Sequence, residues 1–368
     1  MASRAHGPRG NSYGTRWPSS YVIKRVVGSE GHGYSVRKSR HVEGKPNSTR
    51  TASLSSPNGD YGSPNIEVPH QRIECINLCI PPVRSRLREL HLPLLLSESM
   101  STHIPTIADS KCILVTGATS GIGRAMALGL KDLPGKPQVI ATGRRQGRLD
   151  ELAGKGLEAI ELDVQKSPQE LKGDLNAIVA RYPDLDTIIL NAGVQHQFDF
   201  TEPASIDFIK IVEELNINYT SVVATIVALM PHFHRLAAQG RDCFFIGISS
   251  GLSMVPAAWV PNYSASKAAI HSFLMALRAQ LVDSRIHVVE IMPPLVESEL
   301  HDPYGTTEAL SKSWMPLEEF TKLTIEGLLK GDDDVPVGMS AGVFQKFEAG
   351  KSQMAVHLMK NHKAGKSY

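Results

Sequence analysis

Cysteines, aromatic residues and long hydrophobic runs are all scarce in this sequence of 368 residues. The four cysteines (Cys75, Cys79, Cys112 and Cys243) fit neither a disulfide framework nor a zinc-ligand spacing, so we predict a reducing compartment and no metal site. The apolar stretch 92–96 is much shorter than the roughly 20 residues that cross a bilayer. No signal peptide of the usual three-part form is found. We therefore predict neither a membrane span nor secretion.

Acidic residues are scarce in the first part of the chain. Residues 1–108 contain 14 Lys and Arg but only 7 Asp and Glu, which leaves 25 basic and 30 acidic residues in the remainder. This segment is rich in Ser, Pro, Gly and Arg, and it lacks sustained apolar periodicity before Ile73. Such a composition buries too little surface to offset the chain entropy. We predict that residues 1–108 form a mostly disordered extension.

The basic extension has three alternative interpretations. Its first 29 residues carry five basic side chains and no acidic one, as in a mitochondrial transit peptide, but Pro8 and Pro18 oppose the amphipathic helix of such peptides. A basic tail can also bind nucleic acid, yet no folded basic motif accompanies this one. We favour an extension without a function of its own on a cytoplasmic protein that binds no nucleic acid, with mitochondrial targeting as the alternative.

From residue 109 onward, short apolar runs alternate with helical segments. Continuous apolar runs are typical of parallel strands that are covered on both faces. The predicted strands are 112–115, 139–141, 157–162, 187–190, 243–248, 286–291 and 335–337, and the predicted helices are 124–130, 171–181, 206–230, 265–281 and 317–329. This alternation predicts one three-layer, doubly wound α/β domain over 109–340 with a seven-stranded parallel sheet. Residues 341–360 are predicted to form a last helix, followed by a tail to 368.

A glycine-rich segment joins the first predicted strand to the first predicted helix. It reads Thr116-Gly117-Ala118-Thr119-Ser120-Gly121-Ile122-Gly123. Glycines at this place let the backbone turn tightly and approach a pyrophosphate, whose charge the helix N-terminus stabilises. A glycine pattern alone is weak, but its position between a strand and a helix favours dinucleotide binding. We predict cofactor contacts from Gly117 and from residues 119–123.

The second predicted strand is followed by Arg144 and Arg145. Folds that prefer NAD carry a carboxylate near this point for the ribose 2′-hydroxyl, and none is present here. Guanidinium groups match a 2′-phosphate through paired, charge-assisted hydrogen bonds. The pair therefore predicts NADP in preference to NAD. The alternative is two solvated arginines at a helix cap.

Three further segments follow predicted strands at the edge where such sheets bind ligands. Asp163-Val164 would lie beside the adenine, and the small residues of Asn191-Ala192-Gly193 would let a ligand lie along the backbone. Ordinary loop chemistry remains the alternative for both. The fifth strand ends in Ser249-Ser250, which places hydroxyl groups at the same edge.

Tyr263 and Lys267 stand four residues apart at the start of an apolar, helical run. One helical turn places both on the same face. A tyrosine pKa near about 10 is too high for proton transfer at neutral pH unless a nearby positive charge favours the phenolate. Lys267 is a candidate for that charge. An isolated pair of this kind is more often a solvated helix face, so the other motifs decide.

The glycine-rich loop, the Asn191-Ala192-Gly193 segment, Ser250 and Tyr263-x-x-x-Lys267 together resemble the motifs of the short-chain dehydrogenase/reductase family over about residues 111–340. The resemblance implies a Rossmann fold in which Tyr263 is the general acid/base, Lys267 binds ribose and lowers the pKa of the phenol, and Ser250 holds the substrate oxygen. It also implies a catalytic asparagine, for which Asn216 and Asn218 are candidates. Counting back from Pro231, taken as the end of that helix, favours Asn218.

The loop after the sixth strand departs from the family pattern. Pro293-Pro294 stands where most members have Pro-Gly, and Ser298 replaces the usual threonine. The resemblance implies nicotinamide contacts from Pro293, from the backbone at Leu295 or Val296, and from Ser298. Pro294 fixes φ and stiffens this loop.

The predicted activity is that of an NADP-dependent oxidoreductase that interconverts a carbonyl and an alcohol. Apolar and aromatic residues in 253–261 and 299–315 favour a small, hydrophobic substrate, although they can equally be packing or lid residues. The alternative is a non-catalytic, NADP-binding regulatory or scaffold protein, against which the intact motifs argue. Epimerase or dehydratase chemistry would normally bring a larger C-terminal domain. Assembly into a dimer or tetramer of this chain stays open.

Overall fold

The computed structural model describes residues 24–27, 32–35 and 104–366 of the chain. Strands β1 (Lys24–Val27) and β2 (His32–Ser35) pair antiparallel, with Lys24 opposite Ser35, in a unit separate from the rest of the described chain. The remaining residues of 1–103 lie outside the described ones, and the prediction of a disordered extension falls mainly on them.

Seven parallel strands form the central sheet of residues 104–366. They are β3 (Cys112–Val115), β4 (Gln138–Gly143), β5 (Glu158–Glu161), β6 (Leu185–Leu190), β7 (Cys243–Ile248), β8 (Ile286–Met292) and β9 (Asp334–Pro336). Their order is β5-β4-β3-β6-β7-β8-β9, so the direction of winding reverses between β3 and β6. A crevice opens at such a reversal beyond the carboxyl ends of the strands. The predicted seven-stranded, doubly wound sheet is confirmed.

Ten α-helices accompany the sheet in the described chain. They are α1 (Gly121–Leu130), α2 (Gln146–Ala153), α3 (Pro168–Arg181), α4 (Phe208–Leu215), α5 (Ser221–Ala238), α6 (Pro261–Leu281), α7 (Thr307–Leu310), α8 (Leu317–Lys330), α9 (Met339–Phe347) and α10 (Lys351–Lys363). Apolar residues of α3, α5 and α6 pack on one face of the sheet, and those of α1, α2 and α8 pack on the other. This arrangement is the predicted three-layer core.

The predicted helix 206–230 is longer than expected and contains an irregular turn. Helices α4 and α5 are joined by a π-helical turn over Asn216–Thr220, and α5 continues through Pro231 to Ala238. Treating Pro231 as the helix end was therefore wrong. Pro231 and Val227, whose carbonyl loses its helical partner, both lie on the exposed face, where water can replace the lost hydrogen bond.

Helix α2 follows Arg144 and Arg145, where a helix was expected but given no bounds, because only Leu149 and Leu152 of its eight residues are buried, which leaves little apolar periodicity. One other helix prediction is corrected. The single helix predicted over 341–360 is instead two helices, α9 and α10. Gly350 separates them in a left-handed conformation with φ of 87°.

The α4–α5 segment, 208–238, is long and apolar enough to cross a membrane by length and composition, with a mean hydropathy of 1.3 in its most apolar window. Half of that window is buried inside the fold. Its buried residues, among them Ile226, Leu229 and Phe233, pack in the core on one face of the sheet. Core helices meet the same composition test.

The folded body begins before the predicted boundary at residue 109. Thr106 and Asp109 form a reciprocal capping box around a short 3₁₀ turn, and Ile107 is only 2% exposed. Ile107 belongs to the core cluster on the α1 and α8 face. Residues 104–108 therefore belong to the domain rather than to the extension.

Replacing Ile107 with Val should lower the free energy of unfolding by about 0.5–1.5 kcal/mol, because it removes one buried methylene group from a packed core. The matched change at Ile104, which is 65% exposed, should alter it by less than about 0.5 kcal/mol. Equilibrium unfolding in urea measures both. Equal effects at the two positions would contradict the placement of Ile107 in the core.

Candidate active site

The glycine-rich loop lies at the carboxyl end of β3, where the winding direction reverses. Gly117 has φ of 64°, and a Cβ atom there would lie 2.9 Å from the Cα of Ala192. At Gly123 a Cβ atom would lie 2.5 Å from the Gly117 carbonyl oxygen and would overlap the Asn191 side chain. Both positions therefore require glycine. Gly117 is required for its positive φ and for its close neighbour, and Gly123 is required only because a side chain would not fit.

Asn191 fastens this loop to the end of β6. Its side-chain nitrogen donates to the carbonyls of Thr116 (2.9 Å) and Gly117 (3.2 Å). The Thr116 hydroxyl oxygen in turn accepts from the backbone amides of Asn191 (3.0 Å) and Ala192 (3.1 Å). The Asn191-Ala192-Gly193 segment was predicted to leave room for a ligand, and the structure gives its asparagine a second role in holding the loop.

The start of α1 offers backbone N–H groups to an anion. Ser120 precedes the helix and its side chain makes no capping hydrogen bond. Thr119 is buried and Ser120 is half-buried, while Ile122 faces the core. The cofactor contacts predicted from this turn are therefore of two kinds: backbone N–H groups, and the hydroxyl groups of Thr119 and Ser120.

The two predicted phosphate-binding arginines diverge. Arg145 donates to the Thr119 hydroxyl (2.9 and 3.0 Å) and to the Ser120 hydroxyl (2.5 Å), so its guanidinium lies across the glycine-rich loop. Arg144 instead reaches Gln165 (2.5 Å) and lies 3.9 Å from Asp163. Asp163 and the half-buried Val164 adjoin the end of β5, as predicted for an adenine site.

Two residues of the charged cluster around Arg145 were not predicted. The Glu299 carboxylate pairs with Arg145 (2.9 Å) and with Arg148 (3.2 Å). Arg148 follows Arg145 by one turn of α2, a spacing that the sequence does contain. Glu299 comes from the loop after β8, 154 residues away, and no local signal indicates it.

The residues predicted to be catalytic are brought together by β7 and α6. Pro261, at the first position of α6, sets the helix start, so Tyr263 lies in its first turn and Lys267 one turn later. The Lys267 ammonium donates to the Ile248 carbonyl (2.8 Å) at the end of β7 and lies 5.6 Å from the Tyr263 ring centroid. The Ser250 hydroxyl adjoins the Tyr263 phenol and acts to lower its pKa, and all three side chains are buried.

Burial changes the pKa values of this pair. It raises the pKa of Tyr263 above its ordinary value, with the Ser250 hydrogen bond opposing the rise and the Glu214 charge adding to it. Burial also lowers the pKa of Lys267 to about 8, against the charges of Glu290 and Glu214. No contribution of the Lys267 charge to the pKa of Tyr263 is found in this arrangement, so the predicted lowering by Lys267 stays a prediction.

Asn218 rather than Asn216 reaches the site. The π-helical turn directs Asn218 inward, where it is 1% exposed, whereas Asn216 is exposed. The Asn218 amide exchanges hydrogen bonds of 2.9 Å with the Val194 backbone and donates to Ser266 (3.0 Å). A Cβ atom at Gly193 would lie 3.2 Å from the Asn218 amide oxygen and 3.7 Å from the Lys267 nitrogen, so the glycine leaves a path between them.

One buried carboxylate beside the site, that of Glu214, was not predicted from the sequence. Glu214 is completely buried and accepts from the Asn262 side chain (2.5 Å) and from the His196 backbone amide (2.8 Å). Burial raises its pKa, while these hydrogen bonds and the Lys267 charge oppose the rise. Glu214 occupies an amphipathic helix, where a glutamate is usually solvated, so only its tertiary contacts reveal it.

The loop after β8 runs along the glycine-rich loop. The Pro293 carbonyl accepts from the Gly251 amide (2.8 Å), and Val296 is buried and pairs with Met315. A Cβ atom at Gly121 would lie 3.2 Å from the Cβ of Ser298. Of the three predicted contacts of this loop, Ser298 therefore lies against the glycine-rich loop, whereas Pro293 adjoins the segment after β7 and Val296 packs in the core.

A cavity of about 840 Å³ adjoins the glycine-rich loop. Helices α1 and α8 and the loop after β8 line it, with Ser120, Ser298 and Trp314 among its residues. Tyr263, Lys267 and Ser250 are not among them. Trp259, which was predicted to line a substrate pocket, is 67% exposed, whereas His301 is buried against Gln195 (3.1 Å).

Comparison with known sequences agrees with this geometry. The short chain dehydrogenase family profile matches residues 111–309. The uncharacterized oxidoreductase DltE of Bacillus subtilis is 29% identical over 228 residues, which cover 61% of this chain and 86% of that protein. An NADP-dependent 3-hydroxy acid dehydrogenase of Schizosaccharomyces pombe is 30% identical over 199 residues, or 52% of this chain and 73% of that one.

The fold is shared with solved structures. A short-chain dehydrogenase from Sphingobium yanoikuyae in complex with NADPH superposes with a TM-score of 0.56 at 23% identity, covering 66% of this chain and 95% of that one. The profile match, the fold and the assembled motifs lead to one conclusion: this chain belongs to the short-chain dehydrogenase/reductase family of NAD(P)-binding oxidoreductases.

Proposed function

We propose that this protein is an NADP(H)-dependent oxidoreductase that interconverts a carbonyl and an alcohol on a small, hydrophobic substrate. The observation that carries the proposal is the buried cluster of Ser250, Tyr263 and Lys267. A fold without a catalytic site would gain nothing from burying a lysine and a phenol at this sheet edge, because burying each of these groups costs desolvation free energy.

The residues around the crevice fit a dinucleotide phosphate. Gly117 and Gly123 close the loop so tightly that a Cβ atom at either would strike neighbouring backbone. The N-terminus of α1 and the Arg145 guanidinium converge there and supply N–H donors. NADPH, when bound, supplies the hydride at its nicotinamide ring. Arg144 and Arg145 would hold its 2′-phosphate, and Lys267 its nicotinamide ribose.

Tyr263 would give its hydroxyl proton to the oxygen of the substrate during carbonyl reduction. Because burial raises the pKa of this phenol, it stays protonated at neutral pH and is ready to act as an acid. Alcohol oxidation needs the phenolate, so raising the pH should favour that direction. Ser250, which adjoins the phenol, would hold the substrate oxygen beside it.

Lys267 and Asn218 would return the proton to Tyr263. The Lys267 ammonium is anchored on the Ile248 carbonyl, and Asn218 is anchored on the backbone of Val194. Gly193 leaves the space between the lysine nitrogen and the asparagine oxygen clear. We assign this space to the water relay that the family resemblance implies.

Substituting Ala for Arg144 or for Arg145 should weaken NADPH binding about tenfold and NADH binding much less. The removed guanidinium contributes a charge-assisted hydrogen bond, worth about 1.5 kcal/mol, only to the 2′-phosphate. Calorimetric titration of each protein with both nucleotides measures the two affinities. The NADP dependence of the Schizosaccharomyces pombe relative supports the same preference.

A matched control for the arginines is Arg181→Ala. Arg181 ends α3 and pairs with Glu158 at the surface (3.3 Å), outside the crevice. It should leave both nucleotide affinities unchanged. Equal losses for NADPH and NADH in the Arg144 and Arg145 variants would refute their role at a 2′-phosphate.

The proposed activity is tested by NADPH consumption with a panel of aldehydes, ketones, quinones and 3-oxo acids. Turnover of one class that exceeds the background oxidation of NADPH would support a reductase. The opposite result is tight NADPH binding with no turnover of any class, in either direction. That outcome would favour the non-catalytic, NADP-binding alternative.

A further inference from the structure

A chain of buried polar side chains leads from the candidate active site to the last two helices. Glu290, on β8, is 1% exposed and accepts a hydrogen bond from the Ser249 hydroxyl. Both oxygens of Glu290 lie 2.9 Å from Nδ1 of His271. Nε2 of His271 lies 3.1 Å from Glu348, whose other oxygen pairs with the exposed Lys351 (2.8 Å).

The two partners of Glu290 are neighbours of predicted catalytic residues. Ser249 directly precedes Ser250 at the end of β7. His271 follows Lys267 by one turn on the same face of α6. Glu290 lies beside both because β8 pairs with β7 in a register that sets Glu290 opposite Gly247. One carboxylate thus joins the strand end and the helix turn that form the site.

We propose that Glu290 is a positioning residue for the reaction, which holds Ser250 and Lys267 in place through Ser249 and His271 and sets its charge near Lys267. This role rests on the proposed function. By accepting from Ser249, Glu290 fixes the backbone that carries Ser250. By binding His271, it fixes the turn of α6 that presents Lys267 to the Ile248 carbonyl. Glu348 extends the same support to the segment between α9 and α10, so the C-terminal helices contribute to the site.

The charges around Lys267 agree with this role. Two carboxylates act on the charge of Lys267: Glu214 on α4 and Glu290 on β8. On α6 itself, Tyr263 lies one turn before Lys267 and His271 one turn after it. Strand β7 contributes the neutral Ile248 carbonyl. Burial opposes protonation of His271, but Glu290 and Glu348 outweigh it and raise the pKa of His271 to about 9. At neutral pH, His271 is therefore a cation between two anions.

The sign of the effect follows from the pKa of Lys267, which burial lowers to about 8 and which the Glu290 charge raises in opposition. Removing that charge lowers the pKa further. Lys267 would then lose its proton at a lower pH, and any rate that requires the cation would begin to fall at that lower pH. Glu290→Gln keeps the shape of the side chain and removes its charge, and the imidazole signals of His271 show in the same titration whether Glu348 still holds that ring protonated.

The first measurement is an NMR titration of the Lys267 Cε signal in the cofactor-free protein, assigned by comparison with Lys267→Arg. Glu290→Gln should move the midpoint to lower pH by about one unit, as expected for a charge lost from a buried network. The alkaline fall of the reductive kcat/KM should move in the same direction. The kcat should drop about tenfold with little change in KM.

Three further variants separate positioning from general damage. Glu348→Gln removes the next charge of the network but leaves the hydrogen bond between Ser249 and Glu290 in place. It should therefore shift the titration midpoint of Lys267 in the same direction by a smaller amount. Glu290→Asp retains the charge and should restore the midpoint. Asp186→Asn removes another buried carboxylate, which accepts from the amides of Lys111 (3.0 Å) and Cys112 (3.3 Å) at the opposite end of the sheet. It should leave the Lys267 midpoint unchanged.

An unchanged Lys267 midpoint in Glu290→Gln with His271 still protonated would overturn the proposal, even if activity fell. If Glu290→Gln does not fold or loses the His271 proton, Glu348→Gln, in which Glu290 still contacts His271, decides: a downward shift supports the network, and no shift overturns it. Should the wild-type protein show no turnover, the proposed function fails by itself. The titration would still report whether Glu290 holds the charge on Lys267.

Discussion

Tyr263→Phe should reduce kcat for carbonyl reduction by about 10²–10⁴-fold while leaving the NADPH dissociation constant unchanged. The substitution deletes only the hydroxyl group that would protonate the substrate oxygen, and general acid catalysis typically contributes a factor of this size. The ring keeps its packing against Ala257 and Val260, so the start of α6 should remain folded. Steady-state kinetics and NADPH titration measure the two quantities separately.

Tyr182→Phe is the matched control. Its hydroxyl donates a hydrogen bond to Glu158 (2.7 Å), but it lies at the end of α3, outside the crevice. This variant should lose about 1 kcal/mol of stability and no activity. Retained turnover in Tyr263→Phe would end the acid/base assignment. Loss of NADPH binding in that variant would show that the phenol supports the cofactor site instead.

The direction of catalysis should depend on pH through the same residue. Burial raises the pKa of Tyr263, so the protonated form that reduction needs persists well above neutral pH. Lys267, with a pKa of about 8, should lose its charge first on the alkaline side. The upper limit of the reductive rate profile is therefore set by the lysine, and the phenol titrates later.

Most of the sheet and the central motifs could be predicted from local sequence. A buried parallel strand is a continuous apolar run, so six or seven residues suffice to indicate β7 or β8. The glycine-rich loop and the Tyr263–Lys267 spacing are local too, because a turn or one helical repeat determines them. Ser250 was indicated by its place at the end of a predicted strand and by the family resemblance.

The supporting carboxylates could not be predicted in this way. Glu290 lies inside an apolar strand run and Glu214 inside an amphipathic helix, and each is satisfied by partners from other elements. His271 meets Glu348 across 77 residues of sequence. Such pairs depend on the register of β7 with β8 and on where α9 ends, which are tertiary properties. The same applies to the Arg145–Glu299 pair.

Helix irregularities were missed for a related reason. Periodicity over 206–230 indicated a regular helix, and Pro231 was taken as its end. The π-helical turn at Asn216–Thr220 changes the phase of the helix, so that Asn218 turns inward. The count that favoured Asn218 therefore began from an incorrect helix end. In the structure, the π-helical turn, and not the end of the helix, places Asn218 beside the space that Gly193 leaves next to Lys267.

Gly123→Ala should raise the NADPH dissociation constant by about 100-fold or more. The backbone φ at Gly123 is unremarkable for any residue, so the cost is steric. An added Cβ atom would lie 2.5 Å from the Gly117 carbonyl oxygen and would overlap the Asn191 amide that fastens the loop. Backbone atoms cannot yield as a flexible side chain does, and overpacking costs about 1–3 kcal/mol or more. Nucleotide titration and thermal unfolding measure the two effects.

Gly173→Ala provides the control for this glycine. Gly173 lies inside α3, is exposed, and would have no atom within 4 Å of an added Cβ. Alanine there should stabilise the protein by about 1 kcal/mol through helix propensity and leave NADPH affinity unchanged. If Gly123→Ala also bound NADPH normally, the loop would have to be looser than its contacts with Asn191 indicate. Close approach of the loop to the nucleotide phosphates would then not be the basis of binding.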